Sequence, residues 1–197
     1  GARRRAWKRR GTEGGIQRLE DVLDQGTVDS SLARLERAGR SGDALRDFLR
    51  LEIDLTNALT ALRLAQARSP STREGRGFYL TGGLRLSRDR FTDLTGREGA
   101  AAVVEAMKTT GLGAIFEASL DDYRRAGRLS LFEKAARGRL RLQALRATRF
   151  DPLGIGLAVG YLWLKSEEVA DLRLLCRAAH IGLPPHRVEE ELSRTLH

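Results

Sequence analysis

The sequence predicts an all-α protein made of long helices, and three observations lead to this prediction. Apolar residues recur three and four positions apart along most of the chain, which is the period of an amphipathic helix. No segment of useful length alternates apolar and polar residues with the period of a strand. Proline is scarce, with 4 among 197 residues, and this length is enough to bury a sizeable core.

The first two helices are expected to be short. Apolar residues at helical spacing begin at Ile16, and Gly26 is expected to end that helix because glycine disfavours a helix interior. Asp29 or Ser30 can cap the next helix, which is expected to end at Gly39.

The longest helix of the first half is expected to open at Asp43. No helix breaker occurs over residues 44–68, so more than 20 residues are predicted to be helical there. Serine, proline and glycine then break the pattern over residues 69–86, which are predicted to form an irregular loop. Residues 78–80 are expected to form a short extended piece within that loop.

The middle of the chain is expected to hold shorter helices. Ser87 or Asp89 starts one of them, and another ends at the segment Thr109–Gly113. Gly127 is expected to separate two further helices. These two cover residues 114–126 and 128–149.

The last two helices are marked by prolines and a glycine. Asp151 is expected to cap a long helix with Pro152 in its first turn. That helix is predicted to run to about His180 and to end at Gly182, and Pro184-Pro185 starts a terminal helix.

The basic character of the chain lies mostly in a tail. The net charge is +9, from 35 basic and 26 acidic residues, and residues 1–10 contain six basic residues and no acid. Such a tail can contact phosphates, so a helical nucleic-acid-binding protein is kept as the alternative function. The further basic residues of this alternative are Arg124, Arg125, Arg137, Arg139 and Arg141.

The sequence contains no motif that calls for catalysis, a cofactor or a metal. Cys176 and His180 lie on one helix face near His186, but a second ligand pair is missing, so no metal site is expected. A small enzyme that uses Cys176 as a nucleophile stays a third possibility. The glycines over residues 154–160 follow no strand and are better explained by close helix packing. The longest near-apolar run, residues 153–164, is too short to cross a bilayer.

Two segments of the chain resemble each other at a shift of 113 positions. Residues 48–54 and 161–167 align an aromatic residue with an aromatic residue, leucines with leucines, and Asp54 with Glu167. This repeat predicts related helical units, as in a quasi-symmetric scaffold. The expected organisation is a basic flexible arm, one helical domain that contains the loop, and a second related domain. These cover residues 1–15, 16–109 and 110–197.

The motifs resemble those of one family over nearly the whole chain, about residues 16–196. Asp54-Leu55-Thr56-Asn57 followed by Leu62-Arg63 matches its pattern D-x-x-N-x-x-x-x-L-R. Other matching segments are Phe78-Tyr79-Leu80-x-Gly82-Gly83, Asp151-Pro152-Leu153-Gly154, Glu167-Glu168-Val169, Leu172-Arg173-Leu174-Leu175 and Ile181-Gly182-Leu183-Pro184. The chain therefore resembles the C subunit of prokaryotic V/A-type rotary ATPases, which is similar to the eukaryotic d subunit.

The resemblance implies a mechanical part and not an enzyme. Family members have three related helical domains that form a funnel on the cytoplasmic face of the membrane proteolipid ring. The funnel receives the foot of the central shaft made by the D and F subunits, and rotation couples ATP synthesis or hydrolysis to proton transport. This chain is expected to hold the second and third domains only, and to self-associate through the faces that the first domain would cover.

The residues expected to set interdomain geometry or to form interfaces are polar groups of the repeated helices. They are Asp54, Asn57, Arg63, Glu167 and Arg173. In the later repeat Ala170 replaces Asn57, so this polar contact is not kept in both copies. No small-molecule substrate, cofactor, metal or nucleic acid is implied.

Overall fold

The computed structural model describes residues 12–67, 76–150 and 154–192. Within these ranges the predicted all-α class is confirmed, because every regular element there is a helix and no strand is present. The helices are α1 (Thr12–Arg37), α2 (Asp43–Gln66), α3 (Arg88–Thr95), α4 (Gly99–Met107), α5 (Gly113–Glu117), α6 (Leu120–Ala126), α7 (Ser130–Phe150), α8 (Ile155–Ile181) and α9 (Pro185–Glu191). Short 3₁₀ turns lie at Gly39–Gly42, Arg76–Phe78 and Lys108–Thr110.

The prediction that Gly26 ends the first helix is wrong. Helix α1 continues through Gly26 to Arg37, and its end is followed by the 3₁₀ turn that contains Gly39. A glycine inside a helix costs only about 1 kcal/mol, which packing can offset. The packing comes from Val28 and Leu32, which approach the loop glycine Gly82.

Helix α2 confirms the predicted long helix and forms the centre of the fold. It packs against α1, α3, α4, α7 and α8. Its buried face carries Phe48, Leu55 and Leu62, together with two polar residues, Asp54 and Asn57. A polar residue that is buried this deeply needs hydrogen-bond partners, and the neighbouring loop provides them.

The described part of the predicted loop is irregular, as expected. The short extended piece is not formed, because Phe78 closes a 3₁₀ turn and Tyr79 and Leu80 have no regular structure. The predicted cap of the next helix is confirmed, since the Ser87 hydroxyl accepts the backbone N–H of Arg90 at 3.3 Å.

The helix predicted over residues 114–126 is two helices, α5 and α6. The N–H of Ser119 donates to the carbonyl of Phe116 at 3.0 Å, and this tighter bond closes α5 early. Gly127 ends α6 in the left-handed conformation with φ 67°, as expected. Gly182 ends α8 in the same way with φ 68°.

Helix α8 packs along α7 at a close approach between their backbones. A Cβ at Gly160 would lie 2.1 Å from the Thr148 side chain, so glycine is needed there for the helices to pack. This contact agrees with the packing role expected of the glycines at 154–160. Asp151 and Pro152, the predicted start of this helix, lie outside the described residues, and α8 begins at Ile155.

The hydrophobic core lies between α2 and the helices that follow the loop. Its largest fully buried side chains include Phe91, Phe116 and Phe132, from α3, α5 and α7. The core cluster extends from Phe48 to Val159, so it contains residues from both sides of the predicted boundary at 109/110. The division into two related units stays a prediction.

Candidate functional site

The carboxylate of Asp54 holds the end of the loop against α2. It accepts the backbone N–H groups of three successive residues, from Leu84 at 3.0 Å, Arg85 at 3.0 Å and Leu86 at 3.1 Å. Asp54 is only 1% exposed, so each of these donors replaces water that the carboxylate has lost. The burial of this acid is therefore explained by its loop contacts.

Asn57 holds the other end of the same loop segment. Its side-chain amide donates to the carbonyl of Leu80 at 2.8 Å and accepts the Leu80 N–H at 2.9 Å. Asn57 is fully buried, and the paired hydrogen bonds satisfy both ends of the amide. The spacing D-x-x-N therefore places two loop-binding groups about one turn apart on one face of α2.

Two glycines let the loop come this close to the helices. A Cβ at Gly83 would lie 2.2 Å from Oδ1 of Asp54. Gly82 has φ +106°, and a Cβ there would lie 2.5 Å from the Leu32 side chain. Any other residue at either position would require the loop or these side chains to move.

Helix α1 holds the loop from the opposite side through Gln25. Its Oε1 accepts the Thr81 N–H at 2.8 Å, and its Nε2 donates to Asp29 Oδ1 at 2.7 Å and to the Thr81 hydroxyl. We call Gln25, Asp54 and Asn57 the loop anchor. Sequence reasoning missed Gln25 because it placed the end of a helix at Gly26, the next residue.

Tyr79 closes the loop on itself. Its hydroxyl donates to the carbonyl of Leu86 at 2.7 Å, and its ring packs on Phe91 with centroids 5.4 Å apart. The guanidinium of Arg88 lies 5.2 Å from the ring centroid. Burial and the charge of Asp54 raise the pKa of the Tyr79 hydroxyl, while Arg88 opposes the shift. The hydroxyl therefore stays protonated and able to donate.

Arg63 joins two helices that the predicted domain boundary separates. Its guanidinium lies 2.7 Å from the Glu133 carboxylate of α7. The Arg63 side chain is 57% exposed, and an exposed ion pair of this kind contributes about 1 kcal/mol or less. Arg63 is therefore still open to a partner.

The two remaining predicted residues lie on α8. Glu167 is 8% exposed and belongs to the buried side of the helix. Arg173 is exposed to solvent. The structure thus gathers Asp54 and Asn57 at one loop, while Arg63 and Arg173 remain on the surface.

The residues considered for a metal site or a nucleophile do not converge in the described part of the chain. That part contains no group of three or more His, Cys, Asp or Glu side chains that could hold a metal ion. Cys176, His180 and His186 are all exposed. Among the helices of the described ranges, none is long and apolar enough to cross a membrane.

The basic surface of the nucleic-acid alternative is partly neutralised by the chain itself. Arg124 pairs with Asp121 at 3.0 Å, and Arg125 pairs with Asp122 at 2.5 Å. The first ten residues, on which that alternative mainly depends, lie outside the described residues. The alternative gains no support from these contacts.

Comparison with known proteins gives consistent matches. Residues 4–191 match a family model described as the ATP synthase (C/AC39) subunit. The C subunit of the V-type ATP synthase of Thermus thermophilus is 33% identical over 185 residues, which is 88% of this chain and 51% of that protein. The C subunit of the A-type ATP synthase of Haloferax volcanii is 29% identical over 174 residues, 88% of this chain and 49% of that protein. The chain spans about half the length of the curated relatives it matches.

Proposed function

The chain belongs to the ATP synthase (C/AC39) subunit family, as its resemblance to the C subunit predicted, and from this premise we propose that it is a noncatalytic central-stalk subunit. In this role it links the D–F shaft to the membrane proteolipid ring and transmits rotation between ATP synthesis or hydrolysis and proton transport. The observation that carries the proposal is the family match over residues 4–191.

Long helices and a loop segment that is held on two helices support a role in transmitting torque. Helices α2 and α8 contain 24 and 27 residues, which corresponds to about 36 and 40 Å. Residues 80–86 of the loop between α2 and α3 are held by the loop anchor from α1 and α2. A part held in this way can pass on a rotation without absorbing it in its own deformation.

The proposed location is the cytoplasmic face of the membrane, where the chain is peripheral and seated on the ring. The proposed organisation keeps the two related units at 16–109 and 110–197. Arg63 and Arg173 are the proposed partner-facing residues, since both guanidinium groups are exposed. Asp54 and Asn57 act indirectly in this proposal, because their polar groups are used by the loop.

The test is capture of the chain by purified D–F shaft and by detergent-solubilised ring from the same organism. We expect capture that persists at moderate salt, because large packed interfaces depend less on salt than phosphate contacts do. Arg173→Glu should weaken capture by one partner, with Arg128→Glu, another exposed arginine, as the matched control. Failure of both partners to bind, together with salt-sensitive capture of a DNA duplex through residues 1–10, would replace this proposal by the nucleic-acid alternative.

A further inference from the structure

Two adjoining pockets between the loop and α7 share two arginines. The first, of about 250 Å³, is polar and includes Arg50, Asp54 and Gln143 in its wall. The second, of about 500 Å³, is mainly apolar. Because Arg85 and Arg139 line both pockets, the two form one continuous surface, which we call the two-part groove.

The polar part of the two-part groove has an excess of positive charge. Arg50, Arg85 and Arg139 line it, and its acids are Asp47 and Asp54. The carboxylate of Asp54 already accepts three backbone N–H groups, so it is poorly placed to neutralise an arginine as well. The groove is therefore suited to receive a negative group from outside.

Two arginines of the groove have little compensation from nearby acids. Burial lowers the pKa of the Arg139 guanidinium, and the like charges of Arg146 and Arg85 add to that effect. The Nε–H of Arg50 is buried without a hydrogen-bond partner, and its nearest acid, Glu36, lies 3.9 Å from the other end of the guanidinium. Glu36 therefore compensates the charge of Arg50 only weakly.

The loop anchor sets the position of the arginine between the two pockets. The backbone N–H of Arg85 is held by Asp54, and its guanidinium donates to the Gly111 carbonyl at 3.4 Å. Gly111 has φ +71°, and a Cβ there would lie 3.3 Å from that guanidinium. Arg85 is therefore placed where the polar pocket meets the apolar one.

The apolar part of the groove is open and has a floor of small residues. Its wall includes Ile115, Ala135 and Leu142, of which Leu142 is 54% exposed. Gly138 lies at the middle of α7, and a Cβ there would meet nothing within 4 Å. A large apolar side chain from a partner has room in this part of the groove.

We propose that the two-part groove binds an acidic peptide segment of a protein partner, in which a carboxylate lies beside a large apolar side chain. Arginine is suited to the carboxylate because its planar fork donates two parallel hydrogen bonds. An inorganic anion would fill only the polar pocket, whereas this segment fills both. This binding depends only on the residues of the groove, so it does not depend on the proposed role in a rotary complex.

The test is an NMR titration of the isotope-labelled chain with the peptide acetyl-Glu-Glu-Leu-Phe-Glu-Glu-amide. We expect saturable shifts of the backbone amides around Gly111 and Gly138. Two matched peptides separate the contribution of the carboxylates from that of the apolar side chains. One has every Glu replaced by Gln, the other has Leu-Phe replaced by Ser-Ser, and both should bind more weakly. Loss of a hydrogen bond to a charged group corresponds to about a tenfold weaker affinity.

Three variants place the binding in the groove. Gly138→Leu extends a side chain toward the apolar part from a position where a Cβ meets nothing within 4 Å. It should abolish the preference for Leu-Phe over Ser-Ser without lowering the unfolding midpoint. Arg139→Gln should weaken binding about tenfold, whereas Arg137→Gln, an exposed neighbour outside the groove, should have little effect.

Three outcomes of the peptide titrations would overturn the proposal. They are shifts that spread over all basic surfaces, equal loss of affinity in Arg139→Gln and Arg137→Gln, and binding that Gly138→Leu leaves unchanged. Groove shifts caused only by vesicles that contain phosphatidylglycerol, and not by the peptide, would also overturn it, in favour of a lipid headgroup. Because these readouts use no shaft or ring, their failure is distinguishable from failure of the proposed function.

Discussion

At the scale of single residues, the buried carboxylate of Asp54 holds three backbone N–H groups of the loop. The substitution Asp54→Asn replaces one carboxylate oxygen by an NH2 group. One acceptor remains, and the new donor faces those backbone N–H groups. We expect a loss of about 2 kcal/mol or more in the free energy of unfolding, measured by urea denaturation. The control is Asp47→Asn on the same helix, where the exposed side chain should make the effect small.

The same contact predicts a coupling between Asp54 and Gly83. A methyl group at Gly83 would press on the carboxylate, so Gly83→Ala should be destabilising in the native chain and less so once Asp54 is replaced by Ala. Gly77→Ala, which has open space, provides the comparison. Equal costs of Gly83→Ala with and without the carboxylate would contradict the contact.

Glu52 predicts a dependence of stability on pH. It lies against α1 beside Asp24 and Val28, and burial raises the pKa of its carboxyl group. A raised pKa in the folded state stabilises the folded chain at pH values below the ordinary carboxyl pKa of about 4.3. This stabilisation is lost as the pH rises through the folded-state pKa. Glu52→Gln should therefore be more stable than the native chain at neutral pH, and the difference should vanish in acid.

Glu52 is tested by urea unfolding over a series of pH values. The exposed Glu98→Gln is the control and should give a difference that changes little with pH. A Glu52→Gln chain that is less stable than the native chain at neutral pH would show that the carboxylate is favourably paired.

The loop anchor shows which residues of the site could be predicted from the sequence. The pattern D-x-x-N on α2, beside Gly82-Gly83, was enough to single out Asp54 and Asn57. Their partners are backbone groups of residues 80 and 84–86, and such partners leave no side-chain signal in the sequence. The structure shows contacts of Asp54 and Asn57 with the loop, and their role in interdomain geometry stays a prediction.

At the scale of elements, α1 shows why a local rule can fail. Gly26 is a helix breaker by propensity, but α1 is held on both sides of it by Gln25 and by Val28 and Leu32. Long-range packing of this kind is absent from local sequence statistics. The caps at Ser87, Gly127 and Gly182 were predictable because each depends only on residues close to it in the sequence.

Continuity of α1 predicts a gain in stability from Gly26→Ala. The position is exposed and helical, and a Cβ there would meet nothing within 4 Å, so the change should stabilise the chain by about 0.5 to 1 kcal/mol. Gly127→Ala is the contrasting control, since its φ of 67° makes alanine strained and the change destabilising. Destabilisation by Gly26→Ala would indicate that α1 is broken at this residue.

Helix α8 has two apolar faces and only one of them is covered. Gly156, Val159 and Ala178 are buried on the inner face. Exposed apolar residues elsewhere on the helix include Leu157, Tyr161, Leu162, Val169, Leu172 and Leu175. Apolar side chains in this number on an exposed helix face are expected to be covered by a partner in the working state.

At the scale of the whole molecule, this exposed face predicts self-association of the chain alone. Contiguous apolar surface on a soluble protein favours pairing, so sedimentation velocity should show association that increases with concentration. The double variant Leu162→Glu and Leu172→Glu should shift the chain toward monomer, whereas Leu142→Glu, equally exposed but on α7, should not. A monodisperse monomer at all concentrations would contradict the prediction.

The class of fold and the family could be predicted from the sequence, whereas the internal division into two units stays a prediction. Periodicity and motif order are spread along the whole chain, so a local error such as the one at Gly26 does not change the predicted fold class or family. The boundary between related units depends on how α2, α7 and α8 share one core, and Phe48 and Val159 lie in the same cluster. No local pattern in the sequence indicates how these three helices pack together.

The most direct measurement of the proposed function uses membranes that hold the proteolipid ring but have been stripped of the C subunit. The soluble ATPase part, which carries the D–F shaft, is added with and without this chain, and the ATPase activity that sediments with the membranes is recorded. The account predicts that activity sediments only when the chain is present, and that the chain alone hydrolyses no ATP. Activity that stays in the supernatant, or ATP hydrolysis by the chain itself, would contradict it.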